Sequence, residues 1–289
     1  GTGKDVDGRD QFSLRGSLRV NLTPDTRLDL MINHSRENST RSRENKRLCK
    51  AAAVFGCSPN ALGFDSPDTS GVLFQTLLNA TNLFALGGGL FTPGASIYAG
   101  AQNPADLRTI ATDYDASFVA RQTNITAELS HDAGPITLLS LSAFSKGRSE
   151  ARTDFDNAVL PFRFSIPVTY NLDRDTRITT NQLRATDSFV ASGRAYYQEF
   201  RAVSDFSGPL DFTLGVNFLN SKSDASFQIY HPGLELFARF LRGFPQEAWA
   251  FNGDTRDART KSFAAFGELY YNLSDATKVT VGLRYTDDK

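Results

Sequence analysis

From Phe12 to Leu22 the chain reads Phe-Ser-Leu-Arg-Gly-Ser-Leu-Arg-Val-Asn-Leu. The even positions, Phe12, Leu14, Gly16, Leu18, Val20 and Leu22, are apolar or small, and the odd positions, Ser13, Arg15, Ser17, Arg19 and Asn21, are polar. Side chains of an extended strand alternate across the pleat, so a period of two builds a ribbon with one apolar and one polar face. Thr23-Pro24-Asp25-Thr26 carries turn chemistry. The alternation then resumes with Leu28, Leu30 and Ile32 against Arg27, Asp29 and Asn33. These residues predict an antiparallel hairpin.

Three further stretches repeat the plan. Residues 118–131 and 136–147 flank Asp132-Ala133-Gly134-Pro135. Residues 195–205 and 210–222 flank Ser207-Gly208-Pro209, the second strand alternating Leu210, Phe212, Leu214, Val216 and Phe218 with Asp211, Thr213, Gly215 and Asn217. Residues 262–273 and 277–286 flank Ser274-Asp275-Ala276. Leu138, Leu139 and Leu141 do not keep one parity, which predicts a bulge in that strand.

The connections between these hairpins, 37–117, 148–194 and 223–261, far exceed the roughly 15 residues beyond which structureless loops become rare in compact domains. Tight turns alternating with long loops, and strands of about ten residues with an apolar and a polar parity, are the plan of an outer-membrane barrel. The expected fold is therefore all-β: an antiparallel transmembrane β-barrel segment of about eight long strands in four hairpins, with short periplasmic turns and long extracellular loops. On this reading Leu14, Leu18, Val216 and Val281 face lipid, and Arg15, Arg19, Glu128, Asn217 and Arg284 face the lumen. A one-residue slip would place Arg15 and Arg19 at membrane depth.

Composition agrees and excludes several classes. The chain has 289 residues, 31 basic and 32 acidic, for a net charge of −1. That lacks the overall basic footprint of a nucleic-acid binder. At 40% hydrophobic and 11% aromatic it is too apolar for a disordered chain. Met31 is the sole methionine, so residue 1 is expected to be an internal position of a processed or longer chain. The most apolar uncharged run, Val72 to Phe91, is interrupted by Gln75, Asn79, Asn82 and Gly87-Gly88-Gly89. It predicts a short amphipathic helix on Leu73, Leu77, Ala80 and Phe84 rather than a membrane span.

The segment Phe-Ala-Ala-Phe-Gly-Glu-Leu-Tyr-Tyr-Asn-Leu over 263–273, followed by Val-Thr-Val-Gly-Leu-Arg-Tyr-Thr over 279–286, resembles a barrel hairpin of the TonB-dependent outer-membrane receptors. Tyr197-Gln198-Glu199-Phe200-Arg201 with Gly208-Pro209-Leu210-Asp211-Phe212 resembles another. The resemblance implies an internal slice, 1–289, of a larger barrel without the plug or the final aromatic-ended strand. It implies loop capture of a scarce nutrient, an iron–siderophore complex being the expected cargo, and import coupled to TonB through the plug. Outer-membrane lipid and lipopolysaccharide are the expected surroundings.

The loops supply candidate ligand contacts. Phe237, Phe240, Phe244 and Trp249 lie in an aromatic-rich connection, and Phe237, Phe240 and Phe244 share helical spacing. Arg43 and Arg47 belong to a basic run around two cysteines. Cys49 and Cys57 are expected to bond in an oxidising compartment, two free thiols being the alternative. No catalytic or metal constellation stands out, because His34, His131 and His231 are far apart. No cofactor is expected. His231 is the one loop histidine, which leaves haem short of a ligand. The rival reading is a soluble or surface β-sheet module that binds glycans or proteins.

Overall fold

The computed structural model describes residues 4–42, 50–52, 56–57, 63, 104–161, 163–173, 175–232 and 251–289. Eight long strands form one antiparallel sheet: β1 (Arg9–Thr23), β2 (Thr26–Ser39), β5 (Ser117–Asp132), β6 (Ile136–Asp154), β9 (Thr186–Ser204), β10 (Leu210–Tyr230), β11 (Phe251–Ser274) and β12 (Thr277–Asp288). Their order in the sheet is their order in the chain, an up-and-down meander. Two small hairpins sit in the connections: β3 (Ala51–Ala52) with β4 (Gly56–Cys57), and β7 (Arg163–Asn171) with β8 (Arg177–Gln182). No helix among the described residues is long and apolar enough to cross a membrane.

The register carries the two faces across the whole sheet. Leu18 lies opposite Leu30, which lies opposite Ala127, while Arg19 lies opposite Asp29 and Asp29 opposite Glu128. Directly opposed residues share a face, so the apolar parity of one strand meets the apolar parity of the next. The apolar face is uncovered: Leu14 is 62% exposed, Leu214 51% and Leu283 82%. Among the described residues no second large sheet is present, so the eight strands form a single-layer wall. The sheet is not closed, and β1 and β12 each pair on one side only.

One expectation fails in detail. No bulge interrupts β6, whose register against β5 and β9 is continuous. Leu139 and Leu141 instead occupy the polar face, opposite Arg201 and Glu199. The irregularities lie elsewhere, at Asn21/Thr23, Ser223/Ala225 and Asn272/Ser274.

The tight turns are built as their residues predict. Gly134 adopts φ 82°, a left-handed conformation that favours glycine, and its N–H donates to Asp132 Oδ1 at 2.9 Å. Asp211 accepts from the Phe206 N–H and the Ser204 hydroxyl, both at 2.9 Å, and locks the 205–209 turn. At the other end the strands run past the apolar band: β6 reaches Asp154 and β9 starts at Thr186.

Candidate functional site

Apart from Ala151, Tyr230 and Ala264 of the wall strands, the buried apolar side chains lie in a cap on the wall's long-connection end. Leu160, Phe164, Tyr170, Leu183 and Ala185 are buried there, beside Tyr230 and His231. The β7–β8 hairpin forms the cap's frame. Its turn is an aspartate turn, with Asp173 Oδ1 accepting the Asp175 and Thr176 N–H groups at 2.9 Å each. Tyr170 fastens it: the phenol donates to the Gln182 carbonyl at 2.9 Å and accepts the Arg184 N–H at 3.1 Å. Thr186 donates to the Leu172 carbonyl, tying the hairpin to the foot of β9.

Charge is concentrated beneath that hairpin. Arg152, near the top of β6, pairs with Asp175 at 2.8 Å, Glu150 at 3.4 Å and Asp173 at 3.5 Å. The Tyr114 hydroxyl reaches Asp173 at 3.4 Å. On the other side Asp154 accepts the Asn157 N–H at 3.1 Å and the Asp113 N–H at 3.3 Å. Burial pushes the Asp113 carboxyl up to about 7, helped by the nearby Asp154 charge and opposed by Arg184 and Arg163. Burial also raises Asp154. Two adjacent carboxyls thus sit where the charged form is disfavoured, and the Arg184 guanidinium stands 3.9 Å from Asp113, too far for a hydrogen bond. The arrangement stores a proton near neutral pH.

His231 is almost wholly buried, and burial lowers it to about 3, so its imidazole is neutral. It is a core residue of the cap, not a presented ligand. His34 bonds Thr123 at 2.9 Å and His131 bonds Thr26 at 2.8 Å, on separate strands. Among the described residues no group of three His, Cys, Asp or Glu side chains is arranged to hold a metal ion.

The polar face of the wall carries a second constellation. Glu199 and Asn217 are buried at its centre, and Tyr197 donates to Glu199 at 2.5 Å while Arg201 pairs with the same carboxylate. The Phe266 ring lies between two guanidinium groups, 6.0 Å from Arg201 and 5.6 Å from Arg284. It also covers Gly215, where an added Cβ would meet Phe266 Cζ at 2.3 Å. Gly215→Ala is expected to push the ring off both cations and to cost about 1–3 kcal/mol, as overpacking does. The thermal midpoint of the full-length protein in detergent checks this; an unchanged midpoint argues that the ring moves freely.

Phe237, Phe240, Phe244, Trp249, Arg43, Arg47 and Cys49 lie outside the described residues, as do the helices expected near 73–84 and 237–244. Cys57 is described only as part of the short β4 strand. The cap hairpin escaped sequence reading, although Phe164, Val168 and Tyr170 share a parity and Leu172-Asp173-Arg174-Asp175-Thr176 has turn composition. The Asp113–Asp154 pair has no linear signature, since 41 residues separate its members.

No family model and no curated protein matches the sequence. Among solved structures the chain is similar to the ferric-catecholate import receptor Fiu from E. coli K12 in its open form. The TM-score is 0.50 at 12% identity, covering 99% of this chain and 38% of that one. It is likewise similar to the RagAB peptide importer in its open-open state, with TM-score 0.50 at 12% identity, covering 97% of this chain and 27% of that one. Both are TonB-dependent receptors, and the eight-stranded meander has the fold of a stretch of their barrels. The chain spans well under half the length of either.

Proposed function

We propose that this chain is part of the barrel wall of an outer-membrane, TonB-dependent importer that captures a scarce nutrient on its extracellular side. The observation that carries the reading is the uncovered apolar face of an eight-stranded meander whose tight turns and long connections lie at opposite ends. Such a face is stable against hydrocarbon, and the open edges of β1 and β12 would be closed by further strands of a larger barrel. The work proposed is binding and energy-coupled passage, with no covalent chemistry. A plug carried elsewhere in the protein would receive the TonB complex. Heat-modifiable mobility and outer-membrane fractionation of the full-length protein test this, and a soluble parent protein defeats it.

The cargo is proposed to be an iron–siderophore complex. The similar fold of a receptor described as a ferric-catecholate importer supports that choice, and the peptide importer of the same fold names the rival cargo. Growth on ferric siderophores as sole iron source, with a peptide-uptake arm beside it, separates the two. The proposed contacts are Phe237, Phe240, Phe244 and Trp249 with Arg43 and Arg47, and a Cys49–Cys57 bond would restrain the basic run. Aromatic and arginine side chains dominate binding hot spots, so Trp249→Ala is expected to weaken cargo binding by about 2 kcal/mol. Titration of the purified receptor with cargo checks it; wild-type affinity removes Trp249 from the contact set.

A further inference from the structure

The last stretch of the 37–117 connection meets the end of β6 before it enters β5. Residues 104–116 belong to no strand or helix, and their ties to the cap run through side chains. Asp113 donates its backbone N–H to Asp154 at 3.3 Å, and the Tyr114 hydroxyl reaches Asp173 at 3.4 Å. Asp115 pairs with Lys4 at 2.7 Å. Where the segment meets the cap, three carboxyls gather: Asp113 from the segment, Asp154 from the end of β6, and Asp156 from the stretch after it. The last two are almost wholly buried, and they bond carboxyl to carboxyl.

Two carboxylates cannot hydrogen-bond to each other, because neither has a proton to donate; such a bond needs one of them neutral. The charges around the cluster require the same. Two guanidiniums face it: Arg184, 3.9 Å from Asp113, and Arg163, which donates to the Leu160 carbonyl at 2.7 Å. Tyr170 of β7 faces it as a phenol that burial keeps neutral. The other charged groups nearby are turned elsewhere, Asp187 of β9 to the Thr153 hydroxyl and Arg152 to Glu150, Asp173 and Asp175. Three acids against two guanidiniums balance only when one acid is protonated. Loss of that proton leaves an excess negative charge in a buried site. Asp113 Oδ1 and Arg184 Nε are already without a hydrogen-bond partner among the described residues. A cavity of about 40 Å³, lined by Thr112, Tyr114, Asp154 and Asn157 among others, gives water a route to the cluster.

We propose that Asp113, Asp154 and Asp156 form a proton-operated catch: with one proton bound they hold residues 104–116 against the end of β6 and the β7–β8 hairpin, and loss of that proton to water releases the segment. Asp113 is the moving part. It touches β6 through Asp154 and faces the end of the hairpin through Arg184, so ionising it acts on both attachments. The eight-stranded ladder takes no part, because its backbone bonds do not depend on the cluster. The segment closes the 37–117 connection, so the proton sets whether one end of a proposed capture loop is fixed. That role in capture rests on the function proposed above; the movement does not.

The test uses the full-length protein in detergent, in a Cys49→Ser and Cys57→Ser background. Spin labels are placed at Leu107→Cys, in the segment, and Thr255→Cys, on β11, both exposed positions. The distance between the labels is measured from about pH 5 to about pH 9. One docked distance is expected at the acid end. Above the pH at which the proton leaves, its population is expected to fall about tenfold per pH unit, the slope of a single proton. Asp113→Asn and Asp154→Asn are each expected to flatten that slope, because an amide in place of one acid lets the remaining two balance the guanidiniums without a proton. Tyr114→Phe removes a tie of the segment but no charge of the cluster, and is expected to keep the slope. A wild-type slope in both asparagine variants overturns the catch. If one asparagine variant does not assemble, the other decides. Heat-modifiable mobility is recorded throughout. A heat-modifiable protein whose label distance ignores pH overturns the catch and leaves the barrel reading intact. A parent protein that is never heat-modifiable overturns the barrel reading and, with it, the role in capture.

Discussion

Leu214→Arg is expected to keep the full-length protein out of its heat-modifiable form, whereas Thr213→Arg, one residue away, leaves assembly intact. Leu214 is half-exposed on the apolar face, opposite Gly267. An arginine near the midplane of a membrane barrel costs about 2–4 kcal/mol on the lipid side. Thr213 occupies the opposite parity and pairs directly with Glu268, which would receive the new guanidinium. The two substitutions are chemically alike and differ only in the face they load. Mobility in unheated gels and the outer-membrane yield of each variant measure the difference. Equal assembly of both would mean that the apolar face does not meet hydrocarbon.

The cap should loosen as pH rises from about 4 to about 7, and Asp113→Asn should reduce that dependence, leaving the part that buried Asp154 contributes in the same direction. In the unfolded chain Asp113 ionises near its ordinary value of 3.8, but in the folded cap it holds its proton up to about 7. Below the lower value both states are protonated and the group contributes nothing. Between the two values the unfolded state gives up a proton that the folded state keeps, so stability falls. Above about 7 the cost is complete, on the order of 4 kcal/mol at 1.36 kcal/mol per pH unit. Asparagine copies the shape of the neutral acid without its charge. Hydrogen exchange at the Leu172 and Arg184 amides, corrected for intrinsic rates, reads the effect, because both belong to bonds that hold the hairpin. Protection that follows the same pH course in the variant would show that another group titrates there.

The wall was legible because its strands carry one apolar and one polar parity, a period of two that Phe12–Leu22 and Leu28–Ile32 display on either side of their turn. The pattern fails above the apolar band. From Lys146 to Asp154 both parities of β6 are polar, so nothing in the residues distinguishes strand from loop, although the ladder to β9 continues to Thr186. β6 also misled lower down, because Leu139 and Leu141 put apolar bulk on the polar face without changing register. The cap is legible only in three dimensions. Its buried acids come from separate segments, and their meeting at the Asp113 N–H to Asp154 bond is a property of the three-dimensional fold, not of either segment.

The placement of the two greasy surfaces has a practical consequence for handling the molecule. Phe164, Tyr170 and Leu183 hide from water inside the cap, while Leu14, Leu18 and Leu283 are exposed among the described residues. One set is ordered by expulsion from an aqueous phase; the other, in the proposed barrel, is ordered by immersion in an oily one. The choice of solubilising amphiphile therefore acts on the wall as a structural component, yet the cap barely registers it. Urea, working from the aqueous side, should melt the cap first and leave the strands paired. A denaturation curve recorded at a single optical signal would blend the two events, and its midpoint would belong to neither.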